Sequence, residues 1–258
     1  MHASQTPTLA SMQFRWLVFL GLILAAILFV PFDFPVAQFL MSDPLPGEFR
    51  RLIHKTEFFG HGYGILGIAF TIYLLCESRR RQILRLVSTA FAAGLLCNVV
   101  KICFHRVRPC DFSFAAGESS WRGLSFLHVD SLDQLFDSSY HSFPSAHTAT
   151  AIAFALGLGA MYPKARQWFV CLATMCAISR FDGGAHYVSD TFIGAALGYT
   201  VAYWAYSQST VAAWYAAYEQ TGVMPKWPLF EPRREKRWLP KSSASHPSGE
   251  PSYRGSTV

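Results

Sequence analysis

The chain has 258 residues, of which 52% are hydrophobic and 15% are charged. Soluble domains usually carry charge on about a quarter of their residues, so this composition argues against a soluble globular protein and favours an integral membrane protein. The formal net charge of +6 comes largely from a C-terminal basic cluster, and such clusters beside a membrane span pair with anionic lipid headgroups more often than with nucleic acid.

Six stretches of the chain contain no Asp, Glu, Lys or Arg. They are residues 16–32, 58–76, 86–100, 148–162, 167–179 and 191–218. A bilayer core needs about 20 mostly apolar residues, and three of the stretches reach that length only by including flanking residues. We therefore predict an all-α fold, an integral membrane bundle of six helices, whose first helix is an uncleaved signal anchor.

The chain divides into three predicted regions. Residues 1–13 form an N-terminal cytoplasmic segment, residues 14–218 the six-span membrane domain, and residues 219–258 a basic tail in which Pro, Ser, Gly and charge predict disorder. Six spans leave both termini on one side, and placing them in the cytoplasm assigns 14 of the 22 Lys and Arg residues to that side. This count agrees with the positive-inside rule and predicts that the motif-bearing loops face away from the cytoplasm. The expected location is a bacterial inner membrane, with these loops on the periplasmic side.

The longest loop between predicted spans covers residues 105–143 and carries five acids beside several aromatic residues. Loops of this length in a compact domain are usually functional or disordered. The sequence is equally compatible with a segment lying at the membrane interface and with a plain loop.

Three polar segments, residues 101–109, 143–147 and 179–190, stand at the predicted non-cytoplasmic ends of spans. Ionisable residues at such positions are costly and mark candidate functional sites. Taken singly, Lys101, Arg108 or Arg180 could snorkel or anchor an interface. Together, three cations in a low-dielectric site would repel one another unless an anion joined them, and phosphate suits both the fork of Arg and the point charge of Lys.

The same segments hold candidates for the chemical step. Ser145 is placed to cap the following helix, whose free N–H groups form an anion site. His186 and Asp190 are four residues apart, so on one helix the carboxylate could hold one imidazole nitrogen and leave the other as a nucleophile. Asp182, His186 and Asp190 could instead bind a metal ion, but the neighbouring cations disfavour this. We expect no metal and no cofactor.

These segments resemble a known signature. Lys-x6-Arg-Pro at 101–109, Pro-Ser-Ala-His at 144–147 and Ser-Arg-x5-His-x3-Asp at 179–190 are similar to the three motifs of the type 2 phosphatidic acid phosphatase superfamily. The resemblance implies that His186 attacks phosphorus, Asp190 orients it and His147 protonates the leaving oxygen. It also implies a phosphate-binding set consisting of Lys101, Arg108, Ser145, Ala146, Arg180 and Gly184. Ala146 stands where the family commonly has Gly, so a helical backbone must suffice there.

The expected substrate is a lipid-linked phosphate monoester or diphosphate in the bilayer, with no nucleic acid partner. Two alternatives remain open at this point. The same site could transfer phosphate to a second lipid, or the buried cations could line an anion or lipid transport path. Phosphatidic acid, phosphatidylglycerol phosphate, undecaprenyl diphosphate and lipid A all fit the sequence, and no oligomeric state is predicted.

Overall fold

A computed structural model of the chain describes residues 12–114, 118–124, 137–207 and 209–226, with the side chains of residues 12–15 left out. Most of the predicted N-terminal segment, the tail from residue 227 onwards and residues 125–136 of the long loop lie outside the described residues. The three predicted regions therefore stay predictions.

Helices dominate the described part of the chain. They are α1 (Met12–Phe29), α2 (Asp33–Met41), α3 (Gly47–Lys55), α4 (Gly62–Leu75), α5 (Gln82–Cys103), α6 (Ala146–Met161), α7 (Arg166–Asp182), α8 (Val188–Tyr206) and α9 (Thr210–Thr221). Short 3-10 segments lie at Val30–Phe32, Thr56–Gly60, Glu77–Arg79, Pro109–Asp111, Ser138–Tyr140 and Pro163–Ala165. The mostly helical character expected from the six apolar stretches is confirmed.

Two helical segments, Trp16–Met41 and Gln82–Cys103, are long and apolar enough to cross a membrane. A third crossing results if Gly47–Gly60 and Gly62–Leu75, which are bent by 71° relative to each other, are counted as one span. Helix α6 is apolar but has 16 residues, about 24 Å against a hydrocarbon core of about 30 Å. The number of six membrane crossings stays a prediction.

The last apolar stretch, residues 191–218, is not one continuous helix. Helix α8 ends at Tyr206, and α9 starts after Ser209, whose hydroxyl accepts a hydrogen bond from the Ala212 N–H at 3.0 Å. A serine N-cap of this kind satisfies one of the free donors at a helix start. The stretch therefore holds two helices where its lack of charge predicted one.

Helix α6 lies at the centre of the fold and packs against α5, α7 and α8. Glycines of α8 permit the close approach, since a Cβ on Gly194 would lie 2.4 Å from the Ser145 carbonyl oxygen and one on Gly198 would lie 2.2 Å from that of Ala149. Small residues at helix contacts are typical of membrane bundles. Large apolar side chains face outward instead, as Leu24 on α1 and Phe70 on α4 do.

A two-stranded sheet departs from the predicted all-α class. Strand β1 (Phe104–Arg106) follows α5 directly and pairs antiparallel with β2 (Trp121–Leu124). Arg106 also forms a parallel bridge with His141, in the segment that leads into α6. Strand β2 helps to cover a buried charge, since the Trp121 ring lies 4.7 Å from the Arg106 guanidinium carbon.

Candidate active site

The three predicted motif segments meet at one end of the helix bundle. Lys101 lies in the last turn of α5 and Arg180 in the last turn of α7, while His147 lies in the first turn of α6. Lys101, Arg108 and Arg180 all lie near enough to His186 to act electrostatically on it, and the same three cations act on His147. The fold thus gathers residues that are up to 85 positions apart in the sequence.

His186 lies in the turn between α7 and α8. Gly184 has a left-handed φ of +67°, and a Cβ there would lie 3.2 Å from the Cβ of Cys110. The N–H groups of Ala185 and His186 both donate to the Arg180 carbonyl, at 3.1 and 3.2 Å. This tight turn, expected from Gly183 and Gly184, folds the chain back so that His186 is 2% exposed.

One nitrogen of the His186 imidazole is fixed by the backbone. Nδ1 forms a hydrogen bond with the carbonyl oxygen of Ser142, and a carbonyl oxygen can only accept, so Nδ1 carries the proton. The Nε2 lone pair is then free. Burial, followed by the charges of Lys101 and Arg180, lowers the pKa of His186 well below its ordinary value. The imidazole is therefore neutral at physiological pH, as a nucleophile must be.

Asp190 does not contact His186 in the way that the sequence spacing predicts. Helix α8 begins at Val188, so His186 precedes the helix and the two side chains do not share a helix face. The Asp190 carboxylate instead accepts hydrogen bonds from the Ser142 hydroxyl at 2.6 Å and from the Tyr187 N–H at 2.9 Å. Asp190 thus reaches the imidazole indirectly, by holding the residue whose carbonyl holds His186.

Arg106 is a buried residue of this site that the sequence analysis did not select. It is 1% exposed and pairs with Asp190, with Asp33 at 2.7 Å and with the Ser189 hydroxyl at 2.9 Å. The Tyr187 ring lies 4.0 Å from its guanidinium carbon. The sequence held one signal for such a residue. Asp33 lies between two prolines directly after an apolar stretch, and an acid buried there needs a cation as its partner.

The start of α6 agrees with its predicted geometry in part. Ser145 occupies the N-cap position and is fully buried, but its side chain forms no capping hydrogen bond. Its hydroxyl accepts from Thr148 at 3.0 Å, and its N–H donates to the Asp190 carbonyl at 3.2 Å. Ala146 is the first residue of α6, so an ordinary helical backbone does serve where the family commonly has Gly.

Two further residues, Glu57 and His61, enter the site from the bend between α3 and α4. The His61 ring lies 5.3 Å from the His147 ring. The Glu57 carboxylate pairs with Arg180 and lies 3.8 Å from Nε2 of His147. Neither residue was selected from the sequence, where the only signal is that Glu57 is the last acid before an apolar stretch.

The alternative set of metal ligands is not assembled. Asp182 pairs with Arg50 at 3.0 Å and with His54 at 2.8 Å, while Asp190 pairs with Arg106. Within residues 12–114, 118–124, 137–207 and 209–226, no group of three or more His, Cys, Asp or Glu side chains is arranged to hold a metal ion.

Comparison with known sequences identifies relatives. The PAP2 superfamily matches residues 82–214 of the chain, which includes all three motif segments. A lipid A 1-phosphatase of Rhizobium etli is 31% identical over 113 residues, which is 44% of this chain and 44% of the relative. A decaprenylphosphoryl-5-phosphoribose phosphatase of Mycobacterium tuberculosis is 32% identical over 156 residues, which is 60% of this chain and 77% of the relative. The chain thus spans less than half the length of the Rhizobium enzyme.

A solved structure shares the fold. The transmembrane PAP2-type phosphatidylglycerolphosphate phosphatase from Bacillus subtilis superposes with a TM-score of 0.52 at 20% identity, covering 74% of this chain and 94% of that protein. At this identity the match concerns the fold alone. It supports a mostly helical fold of the kind found in that membrane protein.

Proposed function

The chain belongs to the PAP2 superfamily, and we propose that it is an integral membrane phosphatase that hydrolyses a lipid-linked phosphate monoester or diphosphate through a phosphohistidine on His186. The observation that carries this proposal is the state of the His186 imidazole. It is buried, its Nδ1 proton is held by the Ser142 carbonyl, and three cations lie around it. A neutral nucleophile beside a cationic pocket suits attack on an anionic phosphate.

The chemical steps follow from the roles that the family resemblance implies for the two histidines. Nε2 of His186 attacks phosphorus, the P–N bond forms, and the P–O bond to the lipid breaks while His147 gives a proton to the leaving oxygen. Burial and the neighbouring cations lower the pKa of His147 to about 4, so His147 takes up this proton only once the bound phosphate anion offsets the charge of those cations. Water then attacks the phosphohistidine, His147 takes a proton from this water, and inorganic phosphate leaves. Lys101, Arg108 and Arg180 would stabilise the charge on the phosphoryl oxygens throughout.

A lipid substrate is favoured by the surroundings of the site. Large apolar side chains face outward along α1, α4 and α5, as Leu20, Leu66 and Leu95 do, and exposed apolar surface of this extent marks contact with a membrane. The two sequence relatives carry names of enzymes that act on lipid-linked phosphates. Because the site lies at the helix ends, a phosphate at the membrane surface can enter while its lipid chains stay in the bilayer.

We also propose that the reaction needs no divalent cation and takes place on the periplasmic side of a bacterial inner membrane. The first part rests on the three side-chain cations, which supply the positive charge that a metal ion would otherwise provide. The side of the membrane rests on the distribution of Lys and Arg among the loops, and the bacterial membrane rests on the bacterial sources of the two sequence relatives.

The test is phosphate release by the purified full chain from a panel of lipid phosphates. Phosphatidic acid, phosphatidylglycerol phosphate, undecaprenyl diphosphate and lipid A are compared with and without excess EDTA and with and without a second lipid as acceptor. The proposal expects release of free phosphate at a rate that excess EDTA does not change and that vanadate lowers. Phosphate appearing on the acceptor lipid would indicate a transferase, and no turnover of any member would favour the transport alternative.

A further inference from the structure

The carboxylate of Glu57 competes for a cation of the proposed phosphate site. It pairs with the guanidinium of Arg180, whose side chain is 14% exposed. Lys101 and Arg108 differ in this respect, since neither has a carboxylate within salt-bridge distance in the described parts of the chain. Arg180 is therefore the one motif cation, among these three, that already has an anionic partner.

The backbone that carries Glu57 is held tightly against the site. Gly60 packs so closely that a Cβ there would lie 2.6 Å from the His147 carbonyl oxygen. Phe59 is 5% exposed, and its ring lies 5.2 Å from that of Phe154 on α6. The 3-10 segment Thr56–Gly60 is thus fixed between α6 and α7, and it delivers the carboxylate to Arg180.

The Glu57 side chain itself is less restricted than its backbone. It is 33% exposed, so the carboxylate can rotate into solvent without moving the buried segment. An anion that binds Arg180 meets two costs, the loss of the Glu57 pair and repulsion by a like charge close by. Both costs disappear if Glu57 loses its charge.

We propose that Glu57 is an affinity-setting residue that competes with phosphate for Arg180 and thereby keeps inorganic phosphate weakly bound. This inference rests on the proposed function, since it assumes that Lys101, Arg108 and Arg180 bind phosphate. It adds that the site is tuned for release of product, because water resolves the phosphohistidine and leaves inorganic phosphate beside the three cations. Glu57 then re-forms its pair with Arg180 as phosphate departs.

The experiment measures binding of inorganic phosphate to the purified full chain in detergent by titration calorimetry. Glu57→Gln keeps the shape of the side chain and removes its charge. Glu48→Gln is the matched control, since Glu48 is an exposed acid that pairs with Arg51 on α3. We expect Glu57→Gln to bind phosphate about fivefold more tightly, the scale of a partly exposed ion pair, and Glu48→Gln to match the wild type. Glu57→Asp, with a shorter reach to Arg180, should lie between the two.

Weaker or unchanged phosphate binding by Glu57→Gln would overturn the inference, because Glu57 would then support Arg180 or act elsewhere. The thermal unfolding midpoint of each variant is also measured, and equal midpoints show that the variants compared are all folded. Failure of the proposed function gives a different result. In that case the wild type releases no phosphate from any lipid phosphate, an outcome that is measured separately from the binding of inorganic phosphate by the Glu57 variants.

Discussion

At the residue scale, His186 and His147 have different proposed roles, and activity on two substrates with different leaving groups distinguishes these roles. His186→Ala should abolish turnover of every substrate, because no phosphohistidine can form. His147→Ala should lose about 10²- to 10⁴-fold on a lipid phosphate, the usual contribution of a general acid, but far less on a nitrophenyl phosphate, whose leaving oxygen needs no proton. The measurement is kcat/KM of both variants on both substrates. Equal losses for His147→Ala on the two substrates would show that it is not the acid.

The acid limb of the pH profile should report His186. Its neutral form is the nucleophile, so activity is present above the folded pKa and is lost as the pH falls through it. Burial and the neighbouring cations lower this pKa below the ordinary value of 6.5, so the loss should begin below pH 6.5. The measurement is kcat/KM against pH, corrected for ionisation of the substrate, and repeated with His147→Ala to separate the two imidazoles. An acid limb above pH 6.5 in both proteins would contradict the assignment.

The three motif segments could be recognised from the sequence, because their residue types and spacing are those of the family that matches residues 82–214. The contacts that orient them could not. Asp190 was expected to hold His186 on a helix face, but the start of α8 at Val188 and the Ser142 carbonyl replace that contact. Ser142 lies 44 positions from His186, and Arg106 lies 84 positions from Asp190. No local spacing rule reaches such partners.

At the element scale, Arg106 joins β1 to the start of α2 through Asp33 and to the first turn of α8 through Asp190. Breaking a buried ion pair by removing one partner typically costs about 3–5 kcal/mol, so Arg106→Met should strongly lower the midpoint of thermal unfolding in detergent. Arg122→Met is the control, since Arg122 on β2 is 45% exposed and surface changes stay within about 0.5 kcal/mol.

Arg106→Met should also lower kcat, since Asp190 would then hold Ser142 less firmly and the His186 imidazole would be less well oriented. If Arg106→Met were as stable and as active as Arg122→Met, the buried ion-pair network would not be what positions His186.

The apolar stretches predicted most of the helices, because lack of charge over many residues is a strong signal. They did not predict α2 and α3, which lie outside these stretches. Nor did they predict that α8 ends at Tyr206 and α9 begins at Thr210, although Ser207 and Ser209 are both candidate caps. They also did not predict the β1–β2 hairpin, because its strands are three and four residues long and pair across a loop. Short strands that depend on a distant partner carry little signal of their own.

At the scale of the whole molecule, the distribution of Lys and Arg predicts which face of the membrane holds the site. A cysteine placed at Ser119, which is exposed next to β2, should react with a membrane-impermeant maleimide in intact cells. A cysteine at Ser78, exposed at the opposite end of α5, should react only after permeabilisation. The background replaces the cysteines that are not buried, Cys76, Cys103, Cys110 and Cys171. The reverse labelling pattern would place the site in the cytoplasm.

The central claim is that phosphate passes through His186. The most direct test mixes the purified full chain with a lipid phosphate radiolabelled in the phosphoryl group and quenches the reaction within a single turnover. A phosphohistidine is labile to acid and stable to alkali, so the account predicts protein-bound label with this behaviour in the wild type and none in His186→Ala, with free phosphate appearing as the label decays. Release of phosphate by His186→Ala at the rate of the wild type, or wild-type turnover without any bound label, would contradict it.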